Sequence, residues 1–194
     1  MTVATKTTIV AGLLYSIVFS LSVRAQPAPG DGPRYMNGTH LIRPTDYREW
    51  IFLSSGLGMT CEPSSGSSTP PSFGNVFVNP SSYRSFLQTG KWPDRTIFVL
   101  EIRRSESEGS INKSGRFQTG VVAVEAEVKD SRFPDGWAYF NFGAGSDAPP
   151  LAGDQVARCV DCHTKHTAVE RTFVQFYPTL LEVARQKGTL KPGF

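Results

Sequence analysis

Thr96-Ile97-Phe98-Val99-Leu100-Glu101-Ile102-Arg103 alternates, with Phe98, Leu100 and Ile102 on one side and Glu101 and Arg103 on the other. Successive side chains of a strand leave on opposite faces, so the stretch predicts a half-buried strand. Downstream, Val121-Val122-Ala123-Val124-Glu125-Ala126-Glu127-Val128-Lys129 reads as a long strand. Phe133-Pro134-Asp135-Gly136 supplies turn chemistry, and Trp137 to Phe142 is a further strand. Upstream, Asn75-Val76-Phe77-Val78-Asn79 is β-branched and aromatic and is closed by Pro80, which predicts another. Ser81 or Ser82 can cap a short helix through Tyr83, Phe86 and Leu87 that Gly90 ends. Farther out, Thr45 or Asp46 precedes Tyr47, Trp50, Ile51 and Leu53 at helical spacing, and a first helix is expected over about 45–54, stopped by Gly56 and Gly58. Pro63 to Pro71, Arg104 to Gly115 and Gly143 to Gly153 read as loops. The carboxyl-terminal part reads helical around Cys159 to His166 and again from Phe173 to Lys187, where Phe176, Leu180, Leu181 and Ala184 form one stripe before Gly188. The expected class is therefore α+β: an antiparallel sheet of about four or five strands packed by N- and C-terminal helices, in one domain without internal repeats.

Lys6, an apolar run from Ile9 to Val23 and Val23-Arg24-Ala25 have the order of a secretory leader, with cleavage expected after about Ala25. A bilayer span needs roughly 20 apolar residues. This run is shorter and broken by Ser16, Ser20 and Ser22, and a retained anchor is the alternative reading. The expected organisation is a leader over 1–25, a Pro- and Gly-rich lead-in over 26–44 and a domain over 45–194, exported to the periplasm with no membrane span in the mature chain. Loss of Lys6 and Arg24 lowers the formal charge of +3 by two, to +1. A nearly neutral domain has no electrostatic footprint for nucleic acid.

Three cysteines in an exported chain leave one unpaired in any set of disulfides. Two of them lie in Cys159-Val160-Asp161-Cys162-His163, the Cys-x-x-Cys-His signature of c-type haem attachment. Thiols three residues apart on a helical turn can both form thioethers with the haem vinyl groups, while the adjacent imidazole reaches the iron. One haem c held by Cys159, Cys162 and His163 is expected, with His163 the metal ligand and Cys61 left over. A redox pair of cysteines, or a zinc site that recruits Cys61, are the alternatives. No methionine follows His163, so a sixth ligand would have to come from Met36, Met59 or His40; His166 reads as a surface residue.

Tyr47-Arg48-Glu49-Trp50, Asn75 to Pro80, Gly90-Lys91-Trp92-Pro93-Asp94-Arg95-Thr96, Val124 to Asp130, the haem motif and Phe176-Tyr177-Pro178 resemble the cytochrome P-460 family. That family includes hydroxylamine-oxidising cytochromes and the β-type cytochromes c′. The resemblance implies a mostly antiparallel sheet, a single haem with His163 as proximal ligand, and a distal pocket closed by the sheet. It also implies a lysine cross-linked to the porphyrin in the hydroxylamine-oxidising members, and the corresponding residue here is Leu100, which has no nucleophilic atom. The β-type cytochromes c′, with apolar distal caps, are the closer likeness. Phe98, Leu100 and Ile102 would then form an apolar wall, with Phe73 or Phe77 as a second cap; plain sheet core is the alternative for all of them.

Three function classes follow. The first is a five-coordinate haem that binds nitric oxide or carbon monoxide in an apolar pocket. The second is an oxidoreductase acting on hydroxylamine or a related nitrogen compound, for which Asp154 and Asp147 are the candidate proton acceptors. The third is an electron-transfer cytochrome with a sixth ligand. A small diatomic or nitrogenous ligand and a redox partner are implied, and a homodimer is left open.

Overall fold

The computed structural model describes residues 1, 30–60 and 69–194. The strands are β1 (Tyr35–Met36), β2 (His40–Ile42), β3 (Ile51–Leu57), β4 (Phe73–Val78), β5 (Thr96–Glu106), β6 (Phe117–Lys129), β7 (Trp137–Asn141) and β8 (Asp147–Ala148). The helices are α1 (Pro80–Thr89), α2 (Gly153–Lys165) and α3 (Pro178–Lys187). Strands β3-β4-β5-β6-β7 form an antiparallel sheet with the alternating strand β5 at its centre, and β1-β2-β8 form a small second sheet. The class is α+β, as the residue patterns imply.

The five-stranded sheet buries both faces, because alternate residues of one strand enter different cores. On one face, Ile97, Val99, Val124, Ala126, Val128, Ala138 and Phe140 pack with Leu41 of β2, Ala148 of β8, Phe133 and Phe142. On the other, Val78 and Phe98 pack with Phe86 of α1, Trp92, Val169, Val174, and Leu180 and Ala184 of α3. Each fully buried Val, Leu, Ile or Phe contributes roughly 1.5–3 kcal/mol. Asn79 caps α1 ahead of Pro80, and its Oδ1 accepts from the Ile97 amide at 3.0 Å, which ties the helix to β5. Gly90 ends α1 and Gly188 ends α3, both left-handed at φ 70° and 64°.

Several expectations are corrected. The helix over 45–54 is a single 3-10 turn, Tyr47–Glu49, followed by β3. An apolar run this short fits a period of two as well as one of 3.6, and pairing with β4 together with the poor helix formers Ser54, Ser55 and Gly56 settles it as strand. No α-helix therefore precedes the sheet among the described residues. Within the expected lead-in, 35–42 contributes β1 and β2, with Leu41 fully buried. Phe176 belongs to a separate 3-10 turn, Val174–Phe176, and is exposed; Pro178 then starts α3. The leader and Cys61 lie outside the described residues. Among the described residues no helix is long and apolar enough to cross a membrane.

Candidate functional site

Helix α2 carries Cys159, Cys162 and His163 at spacings of three and four, which places all three on one side of the helix. Asp154 in its first turn and Lys165 in its last suit the helix dipole. After His166 the chain turns back through Thr167–Thr172, where Val169 bridges to Thr172 and Glu170 takes a left-handed φ of 52°. The turn is pinned by Trp92 Nε1, which donates to Thr172 Oγ1 at 2.8 Å, and by Lys129 Nζ, 2.9 Å from Glu170 Oε1.

The result at His163 is a defined tautomer. Its Nδ1 lies 2.8 Å from the carbonyl oxygen of Arg171, and a carbonyl can only accept, so Nδ1 carries the proton and Nε2 keeps the lone pair. A metal-ligating histidine is ordinarily oriented in this way. Tyr139 and Phe173 meet the ring edge-on at centroid distances of 4.9 and 4.8 Å. Glu127 Oε1 stands 3.1 Å from the same Nδ1. Burial pulls the His163 pKa down, yet the Glu127 carboxylate and the Arg171 carbonyl hold it above the usual histidine value.

His163 and Cys159 line a cleft of about 140 Å³ against the sheet, faced by Val76, Phe98, Leu100, Glu125, Glu127, Tyr139, Leu151, Phe173 and Tyr177. Leu100 lines the cleft in register with Val76 on β4 and Glu125 on β6. Burial raises the pKa of Glu125, which accepts from Asn141 Nδ2 at 3.1 Å. Burial, with Glu125 and Glu127 nearby, also pushes the Cys159 thiol up. Cys159 is free, whereas Cys162 is buried and disulfide-bonded, so a thioether at Cys162 requires that bond to be reduced first. A second depression, about 350 Å³ in the connection between β5 and β6, is lined by no cysteine, histidine or carboxylate.

The residue types fit a haem c. The thiol positions and the imidazole share one side of α2, Nε2 is the nitrogen left for iron, and the facing side chains include the apolar Val76, Phe98, Leu100 and Phe173. Two buried polar atoms beside the ring, Glu127 Oε1 and Tyr139 Oη, have no hydrogen-bond partner, which marks the cleft as something other than finished core.

Not every expected site residue belongs here. Phe98 and Leu100 line the cleft, and Ile102 lies farther along β5, opposite Gly74 and Ala123. Phe77 is on the opposite face of β4, edge-on to Tyr47 and Phe52 at 5.6 and 5.7 Å. Phe73 has the same parity, at the far end of β4 against Arg103, and does not line the cleft. The correction follows from cross-strand register: Val76, not its neighbours, pairs with Leu100. Asp147 is on β8, 3.3 Å from His40 Nδ1, in the small sheet over the other face, which removes both from the cleft. Asp154 is exposed and outside the cleft lining, and His166 is exposed at the end of α2. Met36 is exposed on β1, and exposed Met59 lies with its sulfur over Gly56. Residue patterns did not single out Glu127, Tyr139, Phe173 or the Arg171 carbonyl. The alternation of Glu125 and Glu127 was the one available signal, and it reads as a solvated strand face until α2 is placed over it.

A family model described as Cytochrome P460 matches residues 44–174, which spans β3 to the turn after α2. A sequence comparison with curated proteins gave no match.

Proposed function

Since the chain belongs to the cytochrome P460 family of c-type haem proteins, we propose that it carries one haem c and binds a small diatomic ligand, nitric oxide or carbon monoxide. Cys159 and Cys162 would hold the porphyrin covalently and His163 Nε2 would hold the iron. The observation that carries this reading is the pairing of a tautomer-fixed His163 with the apolar side chains of Val76, Phe98 and Leu100 across the cleft, none of which can ligate iron. A bound ferrous haem supplies the affinity for the diatomic. The chain's own part is to orient the ring through Arg171 and to exclude water and anions with Phe98 and Leu100, which themselves offer no donor to bound oxygen. By the family resemblance, Leu100 corresponds to the cross-linking lysine of the hydroxylamine-oxidising members, so the porphyrin periphery would stay that of an ordinary haem c. The leader over 1–25 would take the chain to the periplasm, where a redox partner keeps the iron ferrous; a homodimer is compatible with this reading.

A second reading, oxidation of hydroxylamine or a related nitrogen compound, is favoured by one observation. Glu125 stands opposite Leu100 within the cleft, and burial raises its pKa, as suits a proton acceptor beside a substrate. Asp154, exposed at the start of α2, is a weaker candidate for that role.

Optical spectra of the purified ferric, ferrous, carbon monoxide-bound and nitric oxide-bound protein test the proposal. The expected result is a five-coordinate ferrous haem without a strongly red-shifted band, converted by either gas. A low-spin six-coordinate ferrous spectrum that disappears when Met36, Met59 or His40 is replaced would overturn it in favour of electron transfer. Catalytic consumption of hydroxylamine that is lost in Glu125→Gln would favour the second reading.

A further inference from the structure

Glu127 and Tyr139 are neighbours in register across β6 and β7, and both flank the His163 ring. Among the described residues, Glu127 Oε1 and Tyr139 Oη are the buried side-chain polar atoms without a hydrogen-bond partner. A carboxylate oxygen 3.1 Å from Nδ1 and yet unsatisfied has a geometric cause. The Nδ1 proton is aimed at the Arg171 carbonyl, 2.8 Å away, and Glu127 lies off that axis but within reach of the same proton. Its charge is not spent elsewhere on its strand, because Lys129, two residues along on the same face, is committed to Glu170 and to the Trp92 carbonyl at 2.7 Å.

A carboxylate oxygen shut off from solvent is costly unless it is paired, and the Nδ1 proton of His163 is within its reach. We infer that Glu127 is a positioning residue that acts on iron through His163: its carboxylate shares the Nδ1 proton with the Arg171 carbonyl, keeps the imidazole electron-rich and favours ferric over ferrous iron. A carboxylate behind a ligating histidine raises the basicity of the nitrogen that binds the metal. A more basic ligand stabilises the higher oxidation state, so the reduction potential falls. The inference rests on the reading of His163 as the iron ligand. It adds that the chain sets the iron's potential from the side of His163 remote from the metal. Tyr139 stands in register with Glu127, and its hydroxyl, held protonated by burial and by the Glu127 charge, sets an O–H dipole beside the carboxylate that tempers the same charge.

The test uses the full, haem-loaded chain and the variants Glu127→Gln, Glu127→Asp and Tyr139→Phe. Glu127→Gln keeps the shape and removes the charge. It should favour reduction at least tenfold, which is about 59 mV for one electron, and lower the iron–histidine stretching frequency in resonance Raman spectra of the ferrous protein. Glu127→Asp should restore part of both. Tyr139→Phe should move the potential in the opposite direction, and it supplies a readout if Glu127→Gln fails to mature. An unchanged potential and stretching band in haem-loaded Glu127→Gln, or in Tyr139→Phe where only that variant matures, would overturn the inference while leaving the haem reading intact. If instead His163→Ala leaves the wild-type iron–histidine band in place, the His163 assignment itself fails, and the two failures are told apart.

Discussion

The two faces of the five-stranded sheet are built from alternate residues of the same strands and end in different states. On the face covered by β1, β2 and β8, Ile97, Val99 and Val128 are fully buried and Phe140 is 1% exposed. On the α2 side, Val76, Leu100, Glu125 and Glu127 remain half-buried. The contrast is sharpest in the glutamates. Glu101, on the closed face, is 2% exposed and fully paired: Tyr47 Oη donates to it at 2.5 Å, Arg48 Nε at 2.8 Å, and Arg103 Nε also donates. Glu127, on the cleft face, keeps an unpartnered oxygen next to His163. One face is finished by the chain itself, and its polar groups serve stability. The other keeps apolar surface and carboxylate charge available beside the His163 ring, as the proposed haem face would require.

The comparison can be broken at its strongest point first. Replacing both Cys159 and Cys162 by Ser should abolish covalent attachment, read as pigment that acidified organic solvent extracts completely from the denatured protein. Pigment that resists extraction in this variant would mean that the cleft face does not hold haem through α2. Truncation should next separate the faces in urea unfolding. Phe140→Ala should cost about 3–5 kcal/mol, while Leu100→Ala, half-buried at the cleft, should cost less than about 2 kcal/mol. Equal costs would mean that the cleft face is packed as tightly as the core.

The paired glutamate gives a pH signature. Burial works to raise the Glu101 pKa, but Arg103, Tyr47 and Arg48 outweigh it and hold the pKa at about 2, below the ordinary 4.5. A depressed folded-state value stabilises the protein above the unfolded pKa, so roughly 3 kcal/mol should be present at neutral pH and lost as pH falls from 4.5 toward 2. Glu101→Gln should be less stable at pH 7 and flatten that acid limb in pH-dependent melts. A variant that keeps the wild-type slope would place the acid sensitivity elsewhere. The smallest effect is kinetic: Leu100→Ala should speed carbon monoxide association several-fold in flash photolysis, whereas Phe77→Leu should leave it unchanged. A response at Phe77 would contradict its place on the closed face.

Strand parity made most of the sheet legible. Phe98 and Leu100 share a face because residues two apart on a strand must, and the haem motif fixes its own three positions by spacing. The helix expected over 45–54 failed because Ile51 and Leu53 satisfy both periods, and only the hydrogen bonds of β4 decide between them. Phe77 was misplaced for a related reason. The parity of β4 is readable, but its registration against β5 depends on the chain between them, and that registration brings Val76 to Leu100. Glu127 looks like a solvated strand residue until α2 crosses above it. The Arg171 carbonyl was beyond reach altogether, since every residue has one and only the left-handed turn at Glu170 presents this one to His163.

The two oxygens near Nδ1 of His163 differ in how they can be altered. The carbonyl of Arg171 belongs to the main chain, so no substitution at 171 that preserves the turn deletes it. The carboxylate of Glu127 is a side chain and can be exchanged by a single codon change. Ring orientation is thereby insulated from point mutation while the charge behind the ring is left open to it. On the proposed reading of His163 as the iron ligand, descendants of this sequence could drift in redox character, one residue at a time, without losing the orientation of the ring.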